Sequence, residues 1–474
     1  MASAPLAQRP EPPPLQALSP FASPLAADPA LEALLQQASS LLCGWIGGAA
    51  GSQPLPPLSV LPGVEPEAAP LAPERLLADL QLVVDGAYNP HHPGAIAHLD
   101  PPPLTSSIVA ELICAGLNNN LLAEELSPTL IRLERSLSAW LARQLGLPEG
   151  SSGVAASGGS LSNLMALVVA RHQAGLASDG RGVVLCSADA HVSFAKALGV
   201  MGLPASALVR LAVDARGRLD VDALEQSLVR LESAGRPVIA VVATAGTTVC
   251  GAVDPLSRIG PLCRHHGVWL HVDGAIGAVF ALAAAHRHRV EGLEWADSIT
   301  VNPQKLLGIT KTSSLLLLAR PALLQQAFAT GLPYMEPSWG GGHGGEAGLQ
   351  GTRPAEILKL WLGLRQLGLE GISSLLDAAI ARRRRLQSLL ATEPRLQVLA
   401  GPLHLLAFRP AAADRIAAER WSAETRQALL NAQLMLSRPL HQGVHHLKAV
   451  LGNPHTGEAE LQRLVQIVKA SLDG

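Results

Sequence analysis

Two charged residues of the sequence each follow a short, mostly apolar segment that has the length of a buried strand. Lys305 lies between the segment 299–301 and two leucines, and such neighbours remove water from an amine and lower its pKa. A desolvated lysine can form an imine with an aldehyde. Asp273 ends the segment 269–272, where a carboxylate needs a cationic or hydrogen-bonding partner such as a protonated pyridine nitrogen.

The turn Ser157-Gly158-Gly159-Ser160 directly precedes a predicted helix. Its glycines let the backbone approach an anion, and the free N–H groups of a helix N-terminus favour negative charge. Ser160 has the side chain of both a helix cap and a phosphate donor. Taken alone, the turn is also typical of an ordinary helix cap. Considered together with the other candidates in their order along the chain, it predicts a phosphate-binding turn.

His191 follows the predicted strand 182–186, and its imidazole can lie flat against an aromatic cofactor and touch a substrate carboxylate. Each of these candidates has a structural alternative: a solvated lysine, a helix-capping aspartate or a hydrogen-bonded core histidine. All of them, however, come at strand ends, where an open parallel sheet binds its ligand. Together they predict one pyridoxal 5'-phosphate site.

The elements that must position these residues alternate between short β-rich and helical segments from about residue 100, which predicts a mostly parallel sheet covered by helices. The predicted helices include 160–173, 220–233 and 255–265. The predicted strands are Gly182–Cys186, Val209–Val213, Pro237–Ala243, Val268–Val272, Ser298–Val301 and Ser314–Leu318.

Three parts are expected along the chain. Residues 1–87 form a Pro/Ala-rich arm with a helical segment near 31–42, although composition alone also fits a partly disordered tail. Residues 88–353 form the α/β domain. Residues 354–474 form a small α+β domain, with helices at 354–368 and 372–391, strands near 396–408 and 448–451, and a terminal helix from 456.

Composition excludes several classes of function. With 474 residues, 48% apolar and 16% charged, the chain can bury a large core, and a net charge of −2 attracts neither nucleic acid nor an anionic membrane. Prolines near position 12 interrupt any signal-peptide core, and no segment is long enough to span a bilayer. The five cysteines have no metal-binding or disulfide spacing, so we expect a reduced cytoplasm and no metal.

With these motifs in view, the sequence from about residue 88 to the C-terminus resembles the group II pyridoxal-phosphate-dependent decarboxylases, relatives of glutamate, aromatic amino-acid and diaminobutyrate decarboxylases. The resemblance implies an aspartate-aminotransferase-like large domain (fold type I) and a homodimer. The matching segments are His92-Pro93-Gly94, Leu117–Asn120, Glu125–Pro128, Ser157–Asn163, Asp189–His191, Ala243–Thr248, His271–Asp273, Asn302–Lys305 and Leu358–Trp361.

The resemblance also assigns roles by position. Lys305 matches the lysine that forms the Schiff base, Asp273 the pyridinium partner, and His191 the ring-stacking histidine. Ala275 matches the residue whose methyl contacts the ring. The remaining cofactor-binding positions are Ser157, Gly158, Gly159, Ser160, Thr244, Asn302 and Gln304.

Three departures from the family pattern affect these roles. Gln304 stands where the family has histidine, and a neutral amide cannot carry charge. Gly274 and Ile276 replace an alanine and a tyrosine, which is expected to remove a methyl and an aromatic group near the ring. Lys448 replaces a substrate-carboxylate arginine, which keeps the charge but loses the bidentate fork.

The predicted reaction is decarboxylation of an L-amino acid to an amine and CO2. His98 and Lys448 are candidate substrate-binding residues and favour a small polar amino acid such as aspartate, glutamate or 2,4-diaminobutyrate. A lysine facing a second ammonium argues against the last of these. Transamination or aldol cleavage on the same fold, or a weakened family member without catalysis, are the alternatives.

Tyr334 is a candidate proton donor. It lies between Gly331 and the flexible run 340–345, in the region where the family carries a mobile loop with a tyrosine. Such a loop can close over a site and exclude water. The alternative is that Tyr334 only packs at the end of a strand.

Overall fold

The computed structural model describes residues 18–473 except 59, 334, 337 and 340. Its strands form a large sheet, a small sheet and a short hairpin. The strands of the large sheet are β1 (Ser152–Ala156), β2 (Val183–Ser187), β3 (Leu208–Leu211), β4 (Val238–Thr244), β5 (Trp269–Asp273), β6 (Ser298–Val301) and β7 (Ser314–Leu318). The C-terminal strands are β8 (Leu396–Ala400), β9 (Leu405–Pro410), β10 (Leu440–His441), β11 (Val444–His445) and β12 (Leu447–Val450).

The large sheet has the order β1-β7-β6-β5-β4-β2-β3, and β7 is its antiparallel strand. Its central strands β4, β5 and β6 are buried along nearly their whole length. Such continuous apolar segments are typical of parallel strands covered on both faces. The carboxyl ends of β2, β4, β5 and β6 therefore meet at one edge of the sheet.

Helices cover both faces of this sheet and surround the small one, and apolar clusters fill the space between the layers. The α-helices are α1 (Pro29–Gly47), α2 (Pro73–Asp85), α3 (Thr105–Leu117), α4 (Pro128–Gln144), α5 (Gly159–Gln173), α6 (Ser193–Val200), α7 (Val221–Ser233), α8 (Leu256–His265), α9 (Pro303–Leu306), α10 (Ala322–Phe328), α11 (Ile357–Leu390), α12 (Arg415–Asn431) and α13 (Glu458–Ala470).

The α/β fold class with a mostly parallel central sheet is confirmed. The predicted strands of the large sheet lie within two residues of β2 to β7. The strand β1 was not predicted, because its small residues Ser152-Gly153-Val154-Ala155-Ala156 include a single β-branched residue, Val154, and no aromatic one. Gly153 is required there, since a Cβ atom would lie 2.0 Å from the carbonyl oxygen of Leu316 on β7.

The C-terminal part contains a three-stranded antiparallel sheet in the order β12-β9-β8. The helix α11 spans both helices predicted for this region and is kinked at Gly368, whose φ of 61° is a left-handed conformation that glycine adopts at little cost. Helices α12 and α13 pack with this sheet around an apolar cluster that includes Phe408 and Trp421. The domain boundaries at 87/88 and 353/354 stay predictions.

The described part of the N-terminal arm contains the helices α1 and α2, with irregular backbone over much of the rest. The predicted segment near 31–42 lies inside α1, whose first turn is capped by the Asp28 side chain through the N–H groups of Ala30 and Leu31. Helix α2 was not predicted. In the described part of the chain, no helix combines the length and the apolarity that crossing a membrane requires. Within the same residues, no group of His, Cys, Asp and Glu side chains could hold a metal ion.

A buried ion pair holds α4 against the end of the large domain. Both guanidinium nitrogens of Arg353 donate to the Glu134 carboxylate, at 2.8 and 3.0 Å, and the two side chains are only 5% and 7% exposed. Arg353 also donates to the carbonyl oxygens of Ala155 on β1 and Gly344. A bidentate pair with these additional bonds fixes the geometry of three segments at once.

We expect Glu134→Gln to lower the free energy of unfolding by about 3–5 kcal/mol, because it leaves the buried guanidinium without a counter-charge. Denaturant unfolding measures the change. The matched control is Glu458→Gln, which breaks the half-exposed pair with Arg385 and should change stability far less, since solvent already screens that pair. Equal effects of the two variants would contradict the structural importance of the buried pair.

Candidate active site

A cavity of about 190 Å³ opens at the carboxyl edge of the large sheet. Its wall comes from the β1–α5 turn, the ends of β2, β4 and β5, and the β6–α9 turn. Most of the predicted site residues meet there, although they are spread over nearly 150 positions of the chain. Those that line the cavity are Gly159, Ser160, His191, Thr244, Asp273, Ala275, Asn302 and Lys305.

Other predicted residues lie outside the wall of this cavity. Ser157 and Gly158 precede the part of the turn that contributes to it. Gln304, next to Lys305, is not part of the wall, and neither are His98 and Lys448. Tyr334 falls outside the described residues, so its role as proton donor stays a prediction.

The β1–α5 turn has the backbone shape of an anion-binding turn. Gly158 has φ 128°, which L side chains rarely adopt. A Cβ atom on Gly159 would lie 3.0 Å from the side-chain amide of Asn302, so a larger residue would press on that side chain. Helix α5 starts here and is 15 residues long, which places unpaired N–H groups at the cavity.

Asp273 ends β5 and is only 5% exposed. Its Oδ2 accepts a hydrogen bond from the Nδ2 of Asn163 at 3.1 Å, and its Oδ1 accepts one from the backbone N–H of Ala275 at 3.2 Å. These bonds hold the carboxylate at the cavity wall. The arrangement suits a carboxylate that faces a cationic ligand atom.

Asn163 is the functional residue that sequence reasoning missed. It is buried on α5 and uses both N–H groups, one to Asp273 and one to the Oγ of Ser193 at 3.0 Å. Its carbonyl oxygen accepts from the Oγ1 of Thr300 at 2.7 Å and from the Nε2 of His271 at 3.1 Å. The spacing Gly159-x-x-x-Asn163 on one helix face was the signal that could have identified it.

The bonds of Asn163 also fix the tautomer of His271. Since its Nε2 donates to Asn163, its Nδ1 is free to accept from the Oγ of Ser298 at 2.9 Å. Burial lowers the pKa of His271 to about 4, so the ring is neutral at physiological pH. Trp269 completes the chain by donating its indole N–H to the same Ser298 oxygen.

His191 is held at the other end of this network. Its Nδ1 accepts from the backbone N–H of Ser193 at 3.2 Å and lies 2.9 Å from the Ser193 Oγ. The proton of the neutral ring is therefore on Nε2. Burial lowers the pKa of His191, and the nearby charge of Asp273 only partly opposes this effect.

Lys305 lies on the short helix α9 directly after β6. Burial lowers the pKa of its amine, while the charges of Asp273 and Asp100 raise it less strongly. A lowered pKa increases the share of neutral amine, the form that attacks a carbonyl carbon.

Two buried oxygens at the cavity lack a hydrogen-bond partner among the described residues, the Oγ1 of Thr244 and the Oδ2 of Asp189.

These features fit pyridoxal phosphate. The cavity offers an amine with a lowered pKa, a carboxylate held in place, unsatisfied polar oxygens and a glycine turn at a helix N-terminus. Each suits a different part of that molecule, namely its aldehyde, ring nitrogen, polar ring substituents and phosphate.

Two departures from the family pattern have a structural explanation. A Cβ atom on Gly274 would lie 2.7 Å from the Cβ of Ala278 and 2.9 Å from the Thr300 carbonyl oxygen. The expectation that Gly274 removes a methyl near the ring is therefore wrong, because that methyl would point into the core. Ala275 and Ile276 do line the cavity.

The second departure is Gln304. Its Oε1 accepts from the N–H of Ser313 at 2.7 Å, which anchors the amide to the backbone.

Lys448, a predicted substrate-binding residue, lies on β12 near Lys305. It is 6% exposed, and burial, assisted by the charge of Lys305, lowers its pKa to about 8. His98 has a lowered pKa because of burial and then the charge of Lys448. The ring of Tyr88 contacts that of His98 edge-on, with centroids 5.8 Å apart.

Fold and site together define a fold type I enzyme that uses pyridoxal phosphate. Residues 57–409 match the model of the pyridoxal-dependent decarboxylase conserved domain. The chain belongs to this family of pyridoxal-phosphate-dependent carboxy-lyases, and it acts on an amino acid.

Relatives and solved structures agree with this family. The chain is 35% identical over 390 residues to the L-2,4-diaminobutyrate decarboxylase of Rhizobium meliloti, covering 80% of this chain and 77% of the relative. It is 30% identical over 347 residues to the enzyme of the same name from Acinetobacter baumannii, covering 68% of each. A crystal structure of mouse CSAD superposes with a TM-score of 0.87 at 25% identity, covering 94% of this chain and 99% of that one.

We expect Asn163→Leu to weaken cofactor binding and to reduce the rate by about 100-fold, because displacement of a catalytic group by about 1 Å has an effect of this size. The visible absorbance of the bound cofactor measures binding, and CO2 release measures rate. Thr300→Val removes one of the bonds to Asn163 and should have a smaller effect. Wild-type behaviour of Asn163→Leu would show that Asp273 is positioned without it.

Proposed function

We propose that this enzyme removes the α-carboxylate of a small polar amino acid as CO2, with Lys305, Asp273 and His191 as its catalytic residues. The observation that carries the proposal is the meeting of Lys305 and Asp273 in one cavity, where burial lowers the pKa of the lysine. Bound pyridoxal phosphate supplies the electron sink for the pair of electrons that remains when CO2 leaves.

Each residue has a task that follows from its surroundings. Lys305 binds the cofactor covalently through its amine. Asp273, held by Asn163 and the Ala275 N–H, keeps a proton on the pyridine nitrogen. His191, whose Nδ1 is occupied by Ser193, presents Nε2–H as a donor on the cofactor side. Gly159 and Ser160 bind the phosphate at the N-terminus of α5.

Lys448 is proposed to bind the substrate carboxylate, with His98 beside it. Its ammonium has no ion-pair partner among the described residues, and its neighbours His98 and Lys305 have lowered pKa values. A carboxylate ligand would supply the missing counter-charge. The names of the two decarboxylase relatives support a small polar substrate of the 2,4-diaminobutyrate type.

We also propose that the active enzyme is a homodimer. Helices α1, α2 and α3 expose many large apolar side chains, and contiguous apolar surface of this kind is typical of subunit interfaces. Sedimentation equilibrium of the purified chain measures the assembly state. The exposed residues on these helices include Leu31, Leu35, Leu76, Leu80, Val83, Val109, Leu112, Ile113 and Leu117.

A cytoplasmic location is proposed from the five cysteines, all of them free thiols.

We expect Lys305→Ala to lose both the visible absorbance of the covalently bound cofactor and the activity. Asp273→Asn should retain some cofactor but lose orders of magnitude in rate, because a neutral amide cannot hold the ring nitrogen protonated. Borohydride reduction followed by peptide mapping should place the label on Lys305. A label on Lys311 or Lys196 would refute the assignment of the lysine, and a near-wild-type rate of Asp273→Asn would refute the role of the carboxylate.

We expect kcat/KM to fall as the pH rises through about 8, because Lys448 then loses the proton that attracts the substrate carboxylate. The burial that lowers this pKa acts on an ammonium, so the charged form exists below the pKa and is lost above it. In Lys448→Arg the guanidinium stays charged, and the decline should move to higher pH. An unchanged pH profile in Lys448→Arg would assign the titration to another group.

A further inference from the structure

Asp100 lies close to the catalytic lysine although none of the roles above uses it. It follows His98 by two positions, in an extended segment that packs on the turn after Lys305. The backbone N–H of Leu104 donates to the carbonyl oxygen of Gly308 at 2.7 Å, which holds this segment against the turn. The Asp100 carboxylate is near enough to Lys305 to interact electrostatically with its amine.

One oxygen of Asp100 has no partner. Its Oδ2 lies 3.1 Å from the Nζ of Lys311, a side chain that is 60% exposed. Its Oδ1 is buried and has no hydrogen-bond partner among the described residues. Because an unsatisfied buried carboxylate oxygen is unfavourable, a ligand that brings a donor to this position gains an interaction that the described chain does not provide.

Asp100 lies close to His98, one of the two residues proposed to bind the substrate. Its charge acts on His98 and on Tyr88, whose rings contact each other edge-on. Asp100 and Lys448 are both near enough to His98 and Lys305 to interact electrostatically with them, so a carboxylate and a cation flank the catalytic lysine. A ligand with a carboxylate and a separate ammonium group matches both.

We propose that Asp100 recognises the distal ammonium group of a diamino acid such as 2,4-diaminobutyrate and so determines the substrate preference of the enzyme. This inference rests on the proposed function. Lys448 binds the carboxylate of the substrate, and the Oδ1 of Asp100 accepts from its second ammonium. Aspartate and glutamate would bring a second carboxylate to Asp100, and the repulsion selects against them.

Asp189 is a second carboxylate near the cavity with an unpartnered buried oxygen. It lies 3.6 Å from the Nδ1 of His441, away from the contacts that join Asp100 to His98 and Tyr88. Burial raises the pKa of Asp189, which disfavours the charged form that a cation would need.

The test compares kcat/KM for CO2 release from 2,4-diaminobutyrate and from norvaline, in which a methyl group replaces the distal ammonium. In Asp100→Asn, the ratio of the value for diaminobutyrate to that for norvaline should fall by about 10- to 100-fold, because only diaminobutyrate loses a charged partner, whereas an effect of Asp100 on Lys305 acts on both substrates alike. The value for aspartate should rise. Since both substrates are measured on the same preparation, their ratio does not depend on the amount of folded enzyme.

Two further variants separate recognition from structure. Lys311→Met removes the other partner of Asp100 and should keep the preference for diaminobutyrate, whereas a merely structural ion pair would make it behave like Asp100→Asn. Asp100→Glu keeps the charge and should restore part of the preference. Binding of diaminobutyrate, followed by the change in cofactor absorbance, should weaken in Asp100→Asn in parallel with kcat/KM.

Three results would overturn the inference. In the first, Asp100→Asn lowers kcat/KM for diaminobutyrate and norvaline equally. In the second, Asp189→Asn changes the preference and Asp100→Asn does not. In the third, the wild-type enzyme releases CO2 from aspartate but not from diaminobutyrate, which leaves the decarboxylase function intact. Absence of CO2 release from every amino acid in the panel would instead refute the proposed function together with the inference.

Discussion

The hydrogen bond from Asn163 to Asp273 is the contact on which the rest of the site depends. A carboxylate at the end of a fully buried strand is stable only where donors surround it. Asn163 meets this need and at the same time connects Asp273 to Ser193, and through it to His191. Asp273, proposed to face the ring nitrogen, and His191, proposed to stack on the ring, thus belong to one hydrogen-bonded unit.

Helix α5 contributes to the site twice because of its periodicity. Gly159 opens the helix at the proposed phosphate position, and Asn163 follows one turn later on the same face. A single rigid element therefore fixes the distance between the phosphate turn and the carboxylate that faces the ring nitrogen. The buried apolar residues of α5, together with those of β4 and β7, hold the helix on the sheet, so the accuracy of the site depends on packing of the core.

Burial affects the pKa values of the two lysines at the site more than ion pairing does. Lys305 and Lys448 both have lowered pKa values. The charge of Lys305 contributes to the lowered pKa of Lys448, and the charges of both lysines lower the pKa of a nearby histidine. Because Lys448 has no described ion-pair partner, its charge is available to a substrate carboxylate. Asp273 and Asp100 are the carboxylates that oppose the lowering of the Lys305 pKa. The site therefore combines a reactive amine, Lys305, with an unpaired ammonium, Lys448, and a few fixed anions.

The sequence by itself determined the fold class, the strands β2 to β7 within two residues, and the set of residues at the strand ends, because apolar periodicity and the position of polar residues after strands are local properties. Tertiary structure decided what depends on distant segments. The role of Asn163, the inward direction of a methyl at Gly274 and the unpartnered oxygen of Asp100 come from contacts with residues far along the chain. No local pattern encodes such contacts, since they arise only when the sheet brings separate strand ends to one edge.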